Sequence, residues 1–246
     1  SKGGPRMTPH RTPVETVRAA LAAEARIGLA RHPVALAFEA GVLTMEGELP
    51  GVAAKKLALE RAAASPGVRF VVDRLRVAPA RRMGDAEIRD HVRDALMGEP
   101  ALEACALRVR VGQVVRAVRE PDRAAGALTV SVRDGVVTLD GEVPSLSHKR
   151  LAGVLAWWVP GTRDVVNGLG AAQPERDSEG EITDAVRLAL EKDPFLDADR
   201  IRVGTRGAVV TLTGVVPSEP QREMAEDDAW FVFGVDEVVN RIAVNA

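Results

Sequence analysis

Short apolar runs with polar interruptions recur along the chain, and three of them have the same order of residue types. They occupy residues 43–50, 137–144 and 210–217, and each contains a glycine followed at one fixed distance by a second glycine. The glycine pairs are Gly47 and Gly67, Gly141 and Gly161, and Gly214 and Gly234. At a second fixed distance, a polar side chain interrupts an apolar strand at Asp73, Asn167 and Asn240. These coincidences in register indicate an internal repeat of three modules.

The spacing of apolar residues predicts the order helix, strand, strand, helix, strand within each module. In the first module, helical periodicity predicts a helix over 14–30 that Pro33 ends. Strands over 34–38 and 42–49 form a hairpin, and a helix over 52–64 leads to a strand over 68–77. Because such crossovers are right-handed, the third strand should run parallel to the second, with both helices on one face. The fold class is therefore α+β, as three tandem αββαβ sandwiches with three-stranded mixed sheets.

The repeat also predicts the domain boundaries. We expect a flexible N-terminus at 1–13, module 1 at 14–80, module 2 at 85–171 and module 3 at 178–246, joined by polar linkers at 79–84 and 171–180. Each module is near the lower size limit for an independent hydrophobic core.

Module 2 carries an insertion, at about 101–127, that the other modules lack. Residues 107–111 alternate with period two, and 114–119 resume after Gly112, which predicts an inserted strand or ribbon bent at Gly112 with a turn at 120–122. It should pair beside 128–133 at a sheet edge, with its arginines exposed: Arg108, Arg110, Arg116 and Arg119. Two interpretations remain, because charges protect sheet edges from aggregation and also form basic contact surfaces.

Aromatic residues form pairs at the ends of the second helices of modules 2 and 3. The pairs are Trp157 with Trp158 and Trp230 with Phe231. Helical spacing turns Trp157 and Trp230 away from their own cores, so they should contact another module, a second chain or a lipid surface; burial in a local core is the remaining alternative. Basic residues beside the first pair, Lys149 and Arg150, fit a lipid surface, whereas the acidic run 226–228 favours a protein partner.

Composition excludes several other classes of function. The net charge of −2 conceals a basic front, with 12 basic and 7 acidic residues in 1–80, and an acidic end, with 8 basic and 16 acidic residues in 174–246. The sequence lacks a basic stripe with stacking aromatics, so we do not expect nucleic-acid binding. It also lacks the glycine-rich loop that would predict nucleotide binding. One cysteine and four scattered histidines predict neither a disulfide nor a metal site. We therefore expect no catalytic, cofactor-binding or metal-binding residues.

No apolar run is long enough for a transmembrane helix. No signal peptide is visible, although a leader removed from the mature chain would leave the same sequence.

The segment Val130-Ser131-Val132-Arg133-Asp134-Gly135-Val136-Val137-Thr138-Leu139-Asp140-Gly141, followed by Pro160-Gly161 and Val165-Val166-Asn167, resembles the BON domain, the bacterial osmotic-stress and nodulation domain. Module 3 resembles it nearly as well through Gly214 and 234–240, and module 1 less well, with Ala40-Gly41 at the turn and Asp73 in place of Asn. The resemblance covers most of the chain and is specific for fold rather than function.

The resemblance implies a bacterial, non-enzymatic protein of the periplasm or cell envelope, with the cytoplasm as the alternative. Its implied partners are a protein or a phospholipid surface, with self-association possible and a role in osmotic or envelope stress. One branch of the family is associated with potassium, which gives the alternative of an ion-responsive protein. We expect the contact residues to be the aromatic pairs, the four arginines of the insertion, and Lys149 and Arg150.

Overall fold

The computed structural model describes residues 11–172 and 178–245, which fall into two compact units, Ser1–Arg76 and Val77–Ala246. The expected flexible N-terminus lies largely outside the described residues, as does the middle of the linker at 171–180.

The N-terminal unit consists of module 1, in which α1 and α2 pack together beside a sheet of order β1-β2-β3. Its elements are α1 (Pro13–Ala23), β1 (Ala35–Glu39), β2 (Val42–Leu49), α2 (Val52–Ala63) and β3 (Phe70–Val77). The expected helix over 14–30 is too long. It ends at Ala23, and a turn follows in which Gly28 has a positive φ of 60° and its carbonyl accepts hydrogen bonds from Arg31 and His32. Ile27 lies in this turn, and its side chain is buried in the core of the module.

Module 2 begins the C-terminal unit and has the larger sheet. Its elements are α3 (Asp85–Met97), β4 (Cys105–Val111), β5 (Val114–Arg119), β6 (Gly126–Arg133), β7 (Val136–Val143), α4 (Leu146–Trp157), β8 (Asp164–Asn167) and β9 (Gly170–Ala171). The strand order is β5-β4-β6-β7-β8, with β9 also pairing with β7. Helices α3 and α4 pack on this sheet and against each other, around a core that includes Val130, Leu139 and Leu155.

Module 3 returns to the simple pattern, with the order β10-β11-β12. Its elements are α5 (Glu179–Lys192), β10 (Ile201–Arg206), β11 (Val209–Val216), α6 (Glu219–Phe231) and β12 (Glu237–Val244). Strand β12 runs parallel to β11, as β8 runs parallel to β7, which confirms the expected crossover in these two modules. The fold class predicted from the repeat is confirmed.

The repeat glycines Gly141 and Gly214 lie inside strands and serve close backbone approach. Their φ angles are 123° and 142°, and a Cβ on either would lie 2.0 Å from the carbonyl oxygen of Ala127 or Arg200. Side chains other than hydrogen are therefore excluded at these positions by two independent causes, backbone conformation and steric contact.

The insertion in module 2 forms a ribbon, defined here as β4, β5 and the turn that joins them. Strand β4 runs parallel to β6 from Cys105↔Gly126 to Val109↔Val130, and β5 folds back antiparallel on β4. The turn at Gly112 has a positive φ of 59°, as expected for a two-residue hairpin with glycine first. The ribbon moves the open edge of the module 2 sheet outward by two strands.

Candidate contact surfaces

Module 2 and module 3 pack against each other through their helices, with α4 in contact with both α5 and α6. The aromatic pairs predicted from the sequence lie at this interface. The rings of Trp157 and Phe231 stack with centroids 5.8 Å apart and an interplanar angle of 11°. Leu188 of α5 packs against the module 2 core. The structure thus brings these aromatic side chains together within one chain.

Polar contacts across the same interface involve Lys149 and Arg150, which were expected to face a lipid surface. Arg150 is 1% exposed, and its Nε donates to the carbonyl of Phe233 at 3.0 Å. The Lys149 ammonium lies 4.5 Å from the centroid of the Phe233 ring. Glu99, 7% exposed, pairs with Lys192 of α5 at 2.9 Å. Because Arg150 is buried in the chain, it does not present its charge to a membrane or partner.

Trp230 also differs from the surface role expected for it, because it is fully buried, with its Nε1 donating to Glu226 at 3.4 Å. Trp157, Trp158 and Phe231 are half-buried. The sequence pattern identified these positions as unusual, but could not show which of the possible partners covers them.

The centre of the interface contains a buried acid. Trp158 Nε1 donates to Asp228 Oδ1 at 2.8 Å, while Asp228 is only 3% exposed and its Oδ2 receives no hydrogen bond from the described residues. Burial raises the pKa of Asp228 to about 8, the Trp158 hydrogen bond opposes that rise, and the neighbouring Asp193 carboxyl adds to it. Asp228 therefore holds a proton at neutral pH.

Two of the four ribbon arginines fix its base. Arg119 donates to the carbonyls of Leu102 at 2.6 Å and Cys105 at 3.0 Å. Arg108 makes two hydrogen bonds to Glu120, at 2.7 and 3.2 Å, and this cation lowers the pKa of Glu120. These contacts explain why the ribbon keeps its position at the edge of the sheet.

The other two arginines belong to the exposed tip of the ribbon, residues 110–117. Every residue of the tip is exposed, including Val111 at 53%, Val114 at 55% and Val115 at 46%. Arg110 lies 4.0 Å from Asp140, at the limit of an ion pair, and Arg116 occupies the opposite face of the ribbon. The tip combines exposed valines with cations, which is unusual for an edge strand that is only protected from aggregation.

The family model of the BON domain matches residues 14–79, 113–172 and 178–246. The chain belongs to the BON domain family. In module 2 the match begins inside the ribbon and omits α3, although α3 packs on its sheet as α5 does in module 3. The ribbon thus interrupts a BON domain between its first helix and its first strand.

The polar repeat position has the same geometry in the second and third BON modules and a different one in the first. Asn167 donates to the carbonyl of Lys149 at 2.8 Å, and Asn240 donates to the carbonyl of Arg222 at 3.0 Å. Asp73 has no amide to donate. Lys55, at the repeat position of Lys149 and Arg222, instead turns its own ammonium inward, 2.9 Å from Asp73 Oδ2. Both asparagines thus bond to the backbone of the helix that precedes their strand.

Cysteine, serine and histidine side chains also occur in the described part of the chain. Burial raises the pKa of the Cys105 thiol, which keeps it protonated. Ser145 Oγ lies 2.7 Å from His148 Nδ1 at the start of α4. Residues 11–172 and 178–245 contain no group of three or more histidine, cysteine, aspartate or glutamate side chains placed to hold a metal ion.

Among the helices of the described residues, none combines the length and the apolar character that crossing a membrane requires.

Solved structures similar to this chain include two from Chlamydia trachomatis. One is CdsD, a structural protein of the type III secretion system, with 14% identity, 94% of this chain and 91% of that chain covered, and a TM-score of 0.24. The other is the C-terminal domain of CdsD, with 13% identity, coverages of 95% and 97%, and a TM-score of 0.25. At these TM-scores the likeness carries no inference about this chain. No curated protein sequence matches it.

Proposed function

We propose that the chain is a non-catalytic binding protein of the bacterial envelope that contacts a protein partner through the tip of the ribbon. The observation that carries the proposal is the exposure of the whole tip, with valines and arginines side by side. The base of the ribbon is held by Arg108 and Arg119, so the tip is presented on a fixed support. Membership of the BON domain family supports the envelope location and a role in osmotic or envelope stress.

The interface between modules 2 and 3 supports the same proposal by elimination. Trp230 and Arg150 are buried, and Trp157 stacks on Phe231 within the chain. Of the residues first expected to meet a partner or membrane, Trp157, Lys149 and Arg150 thus have contacts with module 3. The tip of the ribbon has no such engagement among the described residues beyond the distant contact of Arg110 with Asp140.

Site-specific photo-crosslinking in cells of the producing bacterium tests this proposal. A photoreactive residue at Val114 or Val115 should give discrete protein adducts. The matched control is the same residue at Gly204, which lies on exposed backbone of β10 and has no atom near an added Cβ. Equal adducts at all three positions, or none at the tip, would refute the proposal.

A phospholipid surface is the second candidate, because exposed valines next to Arg110 and Arg116 also suit an anionic membrane. Co-sedimentation with vesicles containing anionic lipid, at low and moderate salt, tests it. Salt-sensitive binding that is lost in the double variant Arg110→Ala/Arg116→Ala would establish this function. Binding only to zwitterionic vesicles, or no binding, would refute it.

The potassium-responsive alternative stays a prediction. It expects a higher melting temperature in potassium than in sodium chloride at equal ionic strength, since a ligand of the folded state stabilises it.

A further inference from the structure

We propose that β5 is a strand-addition site that takes an extended segment of a partner protein in which acidic and apolar residues alternate. This inference rests on the proposed function and names the mode of contact and the chemistry of the partner. Strand addition uses main-chain hydrogen bonds for affinity and alternate side chains for specificity. It requires an open edge, room on both faces, and side chains that select a sequence.

The open edge is present because β5 ends the order β5-β4-β6-β7-β8 and pairs only with β4 among the described residues. In an edge strand, alternate residues turn N–H and C=O groups outward, where they lack a partner strand. Pairing between β4 and β6 stops at Val109↔Val130, so the tip of the ribbon is not paired with β6.

Room on both faces distinguishes β5 from the other edge strands. Residues Val114 to Ala117 are all exposed, whichever face they occupy. In β10, by contrast, exposure alternates with partial or full burial, because one face lies toward the helices of module 3. A segment adding to β5 would therefore meet no obstruction from the helix layer.

The side chains of β5 select opposite chemistry on the two faces. Val114 and Arg116 share one face, since they pair with Val111 and Val109, and a charged group beside Arg116 should be acidic. On the other face β5 itself presents the apolar side chains of Val115 and Ala117, and the arginines paired with them, Arg110 and Arg108, lie one strand further in on β4. An added strand satisfies both faces when acidic and apolar residues alternate, and this is the period of a β-strand.

The same charges argue against a second copy of this chain as the occupant. Antiparallel pairing of β5 with β5 would bring the Arg116 side chains of two copies onto neighbouring positions of one sheet. Like charges at such positions destabilise strand pairs. The arginine thus acts against self-pairing while it favours an acidic strand.

The test uses the full chain and a fluorescein-labelled peptide of seven residues, alternating glutamate and valine. The control peptide has the same sequence with two consecutive central amides N-methylated, which removes donors from both edges without changing the side chains. Fluorescence anisotropy at low salt should show binding that weakens at least about tenfold on N-methylation. Arg116→Glu should weaken it similarly, whereas Arg202→Glu, an exposed arginine of β10, should have no effect.

Hydrogen exchange provides the second measurement, with protection by the unmethylated peptide confined to amides of residues 114–117. If Arg116→Glu abolishes binding but N-methylation does not, the tip is a charged contact surface, and strand addition is refuted while the proposed function survives. No peptide binding, with vesicle binding or without it, refutes the inference. A concentration-dependent dimer that Arg116→Glu strengthens or abolishes, measured by sedimentation velocity, refutes the choice of occupant.

Discussion

Replacing Asp228 by asparagine should stabilise the C-terminal unit, and the stabilisation should grow with pH. Asparagine keeps the hydrogen bond that Trp158 donates, because its Oδ1 can accept from the indole Nε1 as the acid does. It removes the group whose ionised form is penalised by burial. In the wild type, the pKa is about 8 in the folded chain and about 4 in an unfolded one.

The sign follows from proton binding. Between these two pKa values the folded state holds a proton that the unfolded state has released, so stability falls as pH rises and the full cost is reached above pH 8. Each pH unit costs about 1.4 kcal/mol. From pH 5 to pH 8 the wild type should lose about 4 kcal/mol relative to Asp228→Asn, which for a unit of this size is roughly 10 °C in Tm.

Tryptophan fluorescence follows this unit selectively, because all three tryptophans lie within Val77–Ala246. Thermal melts of the wild type and Asp228→Asn at pH 5, 6, 7 and 8 give the difference in Tm at each pH. Glu223→Gln, an exposed carboxyl on the same helix, is the control for net charge and should show a small difference that is nearly independent of pH. A difference for Asp228→Asn that stays constant with pH, or a destabilised variant at pH 8, would refute the reasoning.

Three further outcomes are expected. Asp73→Asn should cost the N-terminal unit about 3 kcal/mol, because it removes the carboxylate that lies 2.9 Å from the buried Lys55 ammonium, and adding Lys55→Ala should recover part of that loss by removing the buried charge; circular dichroism during urea unfolding measures both. Gly141→Ala should lower the unfolding free energy of the C-terminal unit by more than about 3 kcal/mol, whereas Gly204→Ala, with free space around its Cβ, should change it by less than about 1 kcal/mol in the same fluorescence assay. Arg119→Ala should accelerate amide exchange in the ribbon with little change in Tm, and equal acceleration throughout module 2 would contradict its local role.

The repeat allowed the fold to be predicted because it compares positions within one chain. Glycines that recur in register, such as Gly141 and Gly214, indicated a common backbone requirement, which the structure shows to be a close approach of two strands. They lie inside strands, not after them. The same comparison found the ribbon, since an insertion is visible only when two copies lack it. It missed the carboxylates of Asp85 and Glu179, which begin α3 and α5 and accept hydrogen bonds from the following hairpin turns.

Side-chain partners were less predictable, because the repeat gives positions without distances between modules. The end of α1 was also difficult to predict. Ile27 is apolar and buried, but it lies in the turn that follows the helix and not in the helix. The aromatic pairs show the difficulty between modules. Helical spacing correctly predicted that Trp157 faces away from the core of its own module. It could not decide what covers the side chain, because another module of the same chain and a lipid surface both suit a tryptophan. Only the geometry identifies the stack on Phe231.

Engagement of the aromatic pairs within the chain changes where a partner should be sought. The interface contains the stacked rings of Trp157 and Phe231 and the hydrogen bond from Arg150 to the carbonyl of Phe233, and both contacts are lost if it opens. Modules 2 and 3 should therefore act as one rigid support. On that support, the ribbon is the element that modules 1 and 3 lack, and its tip is exposed throughout, so we expect a function specific to this chain at the tip.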